Sequence, residues 1–198
     1  MANHQKLNTF ALIRELDKPQ ALILSTALIQ RMLPNYLLFC EAMNLPHADA
    51  AKNLVNLLWE VSTNKAMKLS TEAQGEKLEE ITPNTDDFDN IGAYAALDFC
   101  MACHATLQLL ANEEPQGAVM VAKLSQGCVE RYINVTEGEE LTGPELKQHP
   151  LMQFELESLN EILAACRHKR LKADEVKALR SDILEQGVSS LGIDINDS

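Results

Sequence analysis

The chain is short of the features that most function classes require. It has no uninterrupted hydrophobic run of bilayer length. The nearest, residues 91–111, carries Asp98, His104 and Gln108, and an aspartate near the bilayer centre costs about 3 kcal/mol, which argues against a membrane span. Eight glycines and seven prolines in 198 residues are few for a protein of many short strands and turns, and aromatic residues reach only 5%. No segment alternates with period two over more than a few residues, so no sheet is expected. Positive charge is scarce as well. Seventeen lysines and arginines stand against 29 acids, and the net charge of −12 repels phosphate backbones, which excludes non-specific nucleic-acid binding. There is no phosphate loop and no dinucleotide fingerprint, and no histidine follows a glutamate at the three-residue spacing of di-iron bundles.

What is present fits a helical protein. Hydrophobic residues make up 46% and charged residues 23%, a composition for one folded domain of all 198 residues rather than for a disordered chain. Five cysteines, at 40, 100, 103, 128 and 166, lie within helical patterns rather than loops. That usage suits small buried hydrophobes in a reducing cytoplasm. Arg14, Glu15, Asp17 and Lys18 precede the first apolar run, 21–29, where a secretory signal would place its apolar segment nearer the start.

Helix signals recur along the chain. Phe10, Ile13 and Leu16 mark a short first helix, and Asp17 with Pro19 opens a second that runs toward Met43, with a kink or break expected near Leu33 because Pro34 lacks a donor. Leu54, Leu58 and Val61 share a face of a third. Thr71 and Gln74 have capping-box spacing, as do Thr142 and Glu145. Asp86, Asp87 and Asp89 lead into the most apolar stretch, 91–111, apolar nearly all round and therefore expected at the centre with neighbours on every side. Its alanines, with Ala118, Ala122 and Ser125 beyond a hairpin at 114–117, predict close approach of two helices. Gly138 and Gly187 end later helices. The stripes Leu156, Leu159, Leu163, Cys166 and Val176, Leu179, Ile183 complete an all-α, single-domain bundle of about eight or nine helices around the 91–111 helix, with a short tail from about 188.

Chemical motifs are few. Cys100-Met101-Ala102-Cys103-His104 has the spacing that attaches c-type haem, yet no second Cys/His pair stands near in sequence. Two buried thiols and a histidine hydrogen-bonded inside the bundle are the simpler expectation. Asp87, Asp89, Gly92 and Asp98 imitate a calcium loop, but Ile91 sits where an oxygen ligand is needed. Arg167, Lys169, Arg170 and Lys172 form a basic cluster at a helix end, where it offsets the dipole. No metal and no cofactor is expected.

The blocks Arg31-Met32-Leu33-Pro34-Asn35-Tyr36, Leu57-Leu58-Trp59-Glu60, Asp86-Asp87-Phe88-Asp89 with Gly92 to Asp98, and Tyr132-Ile133 with Glu137-Gly138 resemble the bacterial YjaG-like family, a domain of unknown function. The resemblance implies an all-helical cytoplasmic domain and brings no activity, substrate or catalytic residue. The Cys-x-x-Cys-His spacing is not part of that family's pattern.

Two functions follow as expectations. The first is a non-catalytic protein acting through a protein partner or as a homo-oligomer. The second is a small-molecule binder or enzyme with a polar pocket between helices near Asp98, since a carboxylate in so apolar a helix must find a partner or shift its pKa. Candidate binding residues are Tyr94, Asp98, His104 and Tyr132, with Asn35, Tyr36 and Trp59 as surface candidates. No catalytic residue is assigned.

Overall fold

The computed structural model describes residues 8–64 and 66–194. Nine α-helices appear among them: α1 (Thr9–Arg14), α2 (Lys18–Ala42), α3 (Ala48–Thr63), α4 (Thr71–Ile81), α5 (Ile91–Ala111), α6 (Gly117–Glu137), α7 (Gly143–Gln148), α8 (Pro150–His168) and α9 (Ala173–Glu185). There is no strand among the described residues, only an isolated antiparallel bridge between Val188 and Asp194.

Local chemistry sets the helix ends. Asp17 accepts from the Gln20 amide while Gln20 Oε1 accepts from the Asp17 amide, both at 2.9 Å, so two first-turn donors of α2 are satisfied reciprocally. The cap of α4 is Ser70, one residue before the Thr71 suggested by its spacing, and its hydroxyl accepts from the Ala73 amide. Asn90 caps α5 through the Ala93 amide. Asp86 and Asp87 belong instead to a separate 3-10 turn, Thr85–Asp87, so α5 has no acid in its first turn. Gly138 closes α6 in the left-handed conformation with φ 74°, and Asn112 closes α5 the same way.

Helix α2 is enclosed more completely than any expectation from its sequence. Every residue from Ala21 to Leu33 is buried, with α3, α5, α6, α8 and α9 packed around it. It also runs through Pro34 as one helix, where a kink or break was expected. Leu33, Asn35 and Tyr36 on either side of the proline are all buried, so packing holds both halves in line despite the missing donor. The Arg31 carbonyl in the same turn accepts from the Ser190 amide at 2.8 Å. The segment 188–194, expected as the start of a tail, therefore lies against α2, with Ser189, Ser190 and Leu191 buried.

Helix α5 packs against α2 and α6 through Ala93, Ala96, Phe99, Cys100 and Cys103, but it is not covered on every side. Tyr94 is 42% exposed and Met101 47%, and His104 is also exposed rather than hydrogen-bonded inside the bundle. Tyrosine and methionine read as apolar in a periodicity, yet both tolerate solvent, so the pattern overstates enclosure. Both α2 and α5 have the length and composition to cross a membrane, and most of each is buried in the bundle.

The α5–α6 hairpin is as close as its small residues predict. A Cβ placed on Gly117 would stand 2.6 Å from the Ala105 carbonyl oxygen and 2.8 Å from Leu109 Cβ, whereas one on Gly127, on the same helix, meets nothing within 4 Å. Substitution by alanine at the two positions should thus differ in sign. In urea unfolding, Gly117→Ala is expected to destabilise by about 1–3 kcal/mol through overpacking against backbone, and Gly127→Ala to stabilise by about 0.5–1 kcal/mol.

Candidate functional site

Three helices and the docked segment enclose a solvent-reached cavity of about 330 Å³. The C-terminal half of α2 contributes Asn35, Leu38 and Phe39, the start of α5 Ile91, Tyr94 and Ala95, the end of α6 Cys128, Arg131 and Tyr132, and the segment after α9 Leu191 and Ile193. The walls are mainly hydrocarbon and aromatic ring, and the volume lies at the small end of the range for ligand sites.

Its one charged lining group is compensated. Arg131 Nη1 donates to Asp98 Oδ2 at 2.5 Å, joining α6 to α5, and the guanidinium lies 5.4 Å from the centre of the Tyr94 ring. Burial raises the Asp98 pKa, and Arg131 offsets only part of that rise. The Asn35 amide donates through Nδ2 to Ser190 Oγ at 3.0 Å, which ties the cavity wall on α2 to the segment beyond α9.

The cavity thus brings together Asn35, Tyr94 and Tyr132, and Asp98 is bonded to its wall. The other candidates lie elsewhere. Tyr36 is fully buried, donates to the Ile81 carbonyl at 2.7 Å and packs on Phe99 with ring centres 4.8 Å apart; burial carries its phenol far above the ordinary range. Trp59 is buried too and donates to Gln30 Oε1 at 3.0 Å under the Arg180 guanidinium. His104 lines a separate groove with Met101 and Met120, between α4 and the α5–α6 hairpin. Cys100 is buried at the wall of the same groove, Cys103 is sealed in the core and His104 is exposed, so the three do not share one site. No cluster of three or more His, Cys, Asp or Glu side chains with metal-binding geometry occurs among the described residues.

The most costly polar arrangement was not anticipated. Arg31 on α2 and Glu155 on α8 are 1% and 0% exposed, and Arg31 Nη1 donates to Glu155 Oε2 at 2.5 Å. Ser125 on α6 donates to the other carboxylate oxygen at 2.5 Å, and the guanidinium lies 5.2 Å from the Phe154 ring centre. A signal was available: Glu155 stands three residues after Met152 and four before Leu159, inside the buried stripe of α8. Arg131 carried no such sign, being one of several charges on a partly exposed helix.

The fold and this cavity define a single-domain, all-α protein with an apolar, ligand-sized opening. A solved structure shares that fold, and sequence relatives are found over nearly the whole chain. The chain belongs to the family described as "Protein of unknown function (DUF416)", which it matches over residues 8–194. It is 33% identical over 185 residues to the uncharacterized protein YjaG of Escherichia coli strain K12, covering 91% of this chain and 93% of that one. It is 31% identical over 189 residues to an uncharacterized protein of Haemophilus influenzae, covering 93% and 95%. A crystal structure of a DUF416 family protein from Shewanella baltica OS155 superposes with a TM-score of 0.89 at 32% identity, over 95% of this chain and 99% of that one.

Removing one partner of the buried pair leaves an uncompensated charge in the core. Glu155→Ala should therefore lose about 3–5 kcal/mol in chemical denaturation, and the double variant Arg31→Met, Glu155→Leu should recover most of it. The thiols give a second expectation. All five are free and buried, and desolvation pushes Cys100, Cys128 and Cys166 up to about 12. At pH 8 such groups are therefore overwhelmingly thiol rather than the reactive thiolate. Ellman's reagent should consequently find no fast-reacting thiol in native protein and five after denaturation.

Proposed function

We propose that the chain is a non-catalytic binding protein that takes an uncharged, largely apolar small molecule in the cavity between α2, α5 and α6. The carrying observation is the cavity itself: solvent-reached, walled by aliphatic and aromatic side chains, and holding no net charge because Arg131 and Asp98 are bonded to one another. Binding rather than turnover is supported by that same pairing, which leaves neither group disposed to act as a base or nucleophile on a ligand. A cytoplasmic setting is supported by five free, buried thiols, and the charge of −12 disfavours nucleic acid.

A protein partner or second copy is the other reading. Leu38, Met43 and Tyr94 are exposed apolar residues that also line the cavity, where an inserted side chain of a partner would bury them. Titration with N-phenyl-1-naphthylamine, a neutral fluorophore, separates the two. Saturable one-to-one binding to a monomer, weakened about tenfold or more by Ala42→Trp at the exposed rim, supports the small-molecule reading; a tenfold loss corresponds to ~1.4 kcal/mol. Absence of dye binding together with a concentration-dependent dimer in sedimentation, dissociated by Leu38→Asp, would replace it with self-association.

A further inference from the structure

A second cavity, of about 640 Å³, lies at the opposite end of α2 and α5 from the first and shares no residue with it. Its lining carries three cations, Lys18 at the start of α2 and Arg170 and Lys172 in the α8–α9 connection, and among the described residues no carboxylate. In a chain of net charge −12 that is a local reversal of sign. Helix ends do not decide it. The N-termini of α2 and α9 meet the C-termini of α3 and α5 here, and the opposed dipoles offset one another.

The cations are held without being neutralised. Lys18 Nζ donates to the Leu110 carbonyl and to Asn112 Oδ1, both at 2.7 Å, so its partners are neutral and a third proton is left for another acceptor. Lys172 makes no ion pair among the described residues; Glu175, whose carboxylate accepts from its backbone amide, is paired with Lys169. Arg170 meets Asp17 at 3.4 Å with both side chains about half exposed, a pair worth little that can exchange for another anion. The side-chain amides add donors. Gln20 Oε1 accepts from the Asp17 amide and Asn64 Oδ1 from the Ala66 amide, and because a backbone N–H only donates, the NH2 group is the end left over in each. The hydroxyls of Ser62 and Thr63 donate to carbonyls of their own helix. Depth divides the lining by polarity: Leu22 and Ile23 are buried, whereas Arg170 and Lys172 are exposed at the mouth.

We propose that this cavity binds an amphiphilic anion, a molecule with one carboxylate or phosphate head and a short hydrocarbon body. The head lies among Lys18, Arg170 and Lys172, where charge-assisted hydrogen bonds select against a neutral or cationic chain. The body covers Leu22 and Ile23, which selects against a bare ion. This site is independent of the reading above, which concerns the first cavity and an uncharged ligand.

The test is calorimetric titration of the full-length protein at pH 7 and low salt with octanoate, octyl phosphate, 1-octanol, octyltrimethylammonium and inorganic phosphate. One-to-one binding of octanoate or octyl phosphate is expected, about tenfold or more tighter than any of the other three, and whichever of the two binds more tightly names the head. The double variant Arg170→Gln, Lys172→Gln, which alters two exposed side chains, should weaken that binding about tenfold or more and leave any octanol binding unchanged. In methyl NMR spectra the Met67 signal should move with octanoate while that of Met43, in the first cavity, stays in place. Octanol binding as tightly as octanoate, or a shift at Met43 in place of Met67, would put the chain in the first cavity and overturn the proposal. Inorganic phosphate binding as tightly as octyl phosphate would reduce the site to an adventitious ion only. Affinity unaltered in the double variant, or no binding of either amphiphilic anion, would overturn it as well.

Discussion

The enclosure of α2 is the constraint on which the remaining architecture rests. A helix buried over thirteen successive positions, Ala21 to Leu33, has no polar face to give to water, so other helices must cover it all the way round. Five of them do. The cost of that arrangement falls on Arg31, a charge in the midst of the buried stretch, which is retained by Glu155 reaching in from α8 and by Ser125 satisfying the far oxygen of that carboxylate. Such a pair is weak support for stability in itself, because desolvation offsets much of the attraction. It ties α2, α6 and α8 together at one point, since a misplaced helix would strand a charge in hydrocarbon.

The cavity is a by-product of the same packing. Helices α5 and α6 approach closely where their side chains are small, above all near Gly117 and Ala105. Toward the other end of the α5–α6 hairpin the residues become Tyr94, Arg131 and Tyr132, and the space between the axes is left open to solvent. Arg131 spans from α6 to Asp98 on α5, so the charge at the wall is neutralised before any ligand arrives. The segment after α9 then supplies Leu191 and Ile193 as a further wall, attached through Ser190 to the proline-bearing stretch of α2.

Much of this was legible in one dimension because it follows from short-range chemistry. Asp17 before Pro19, Thr142 with Glu145, and Gly138 act within a few residues of themselves, and their roles as helix ends were readable from the sequence. Candidates drawn from polar residues in apolar helices fared unevenly. Tyr94, Tyr132 and Asn35 meet at the cavity, yet Tyr36 and Trp59 spend their donors on Ile81 and Gln30, and His104 faces a different groove. Neighbours far away in sequence decided each case. Ile81 lies 45 residues from Tyr36, and no periodicity carries information over that distance.

Composition, periodicity and capping by themselves determined that the chain is all helical, where most helices begin and end, and that its thiols are core material, because those properties depend on contacts within a turn or two. Tertiary structure alone decided that α2 rather than α5 is the most enclosed rod, that Pro34 sits inside an unbroken helix, that Arg31 meets Glu155, and that Asn35, Tyr94, Arg131 and Leu191 share a wall. The physical reason is that a helix presents the same side-chain stripe to any apolar neighbour. Which neighbour it meets depends on how all the helices pack at once.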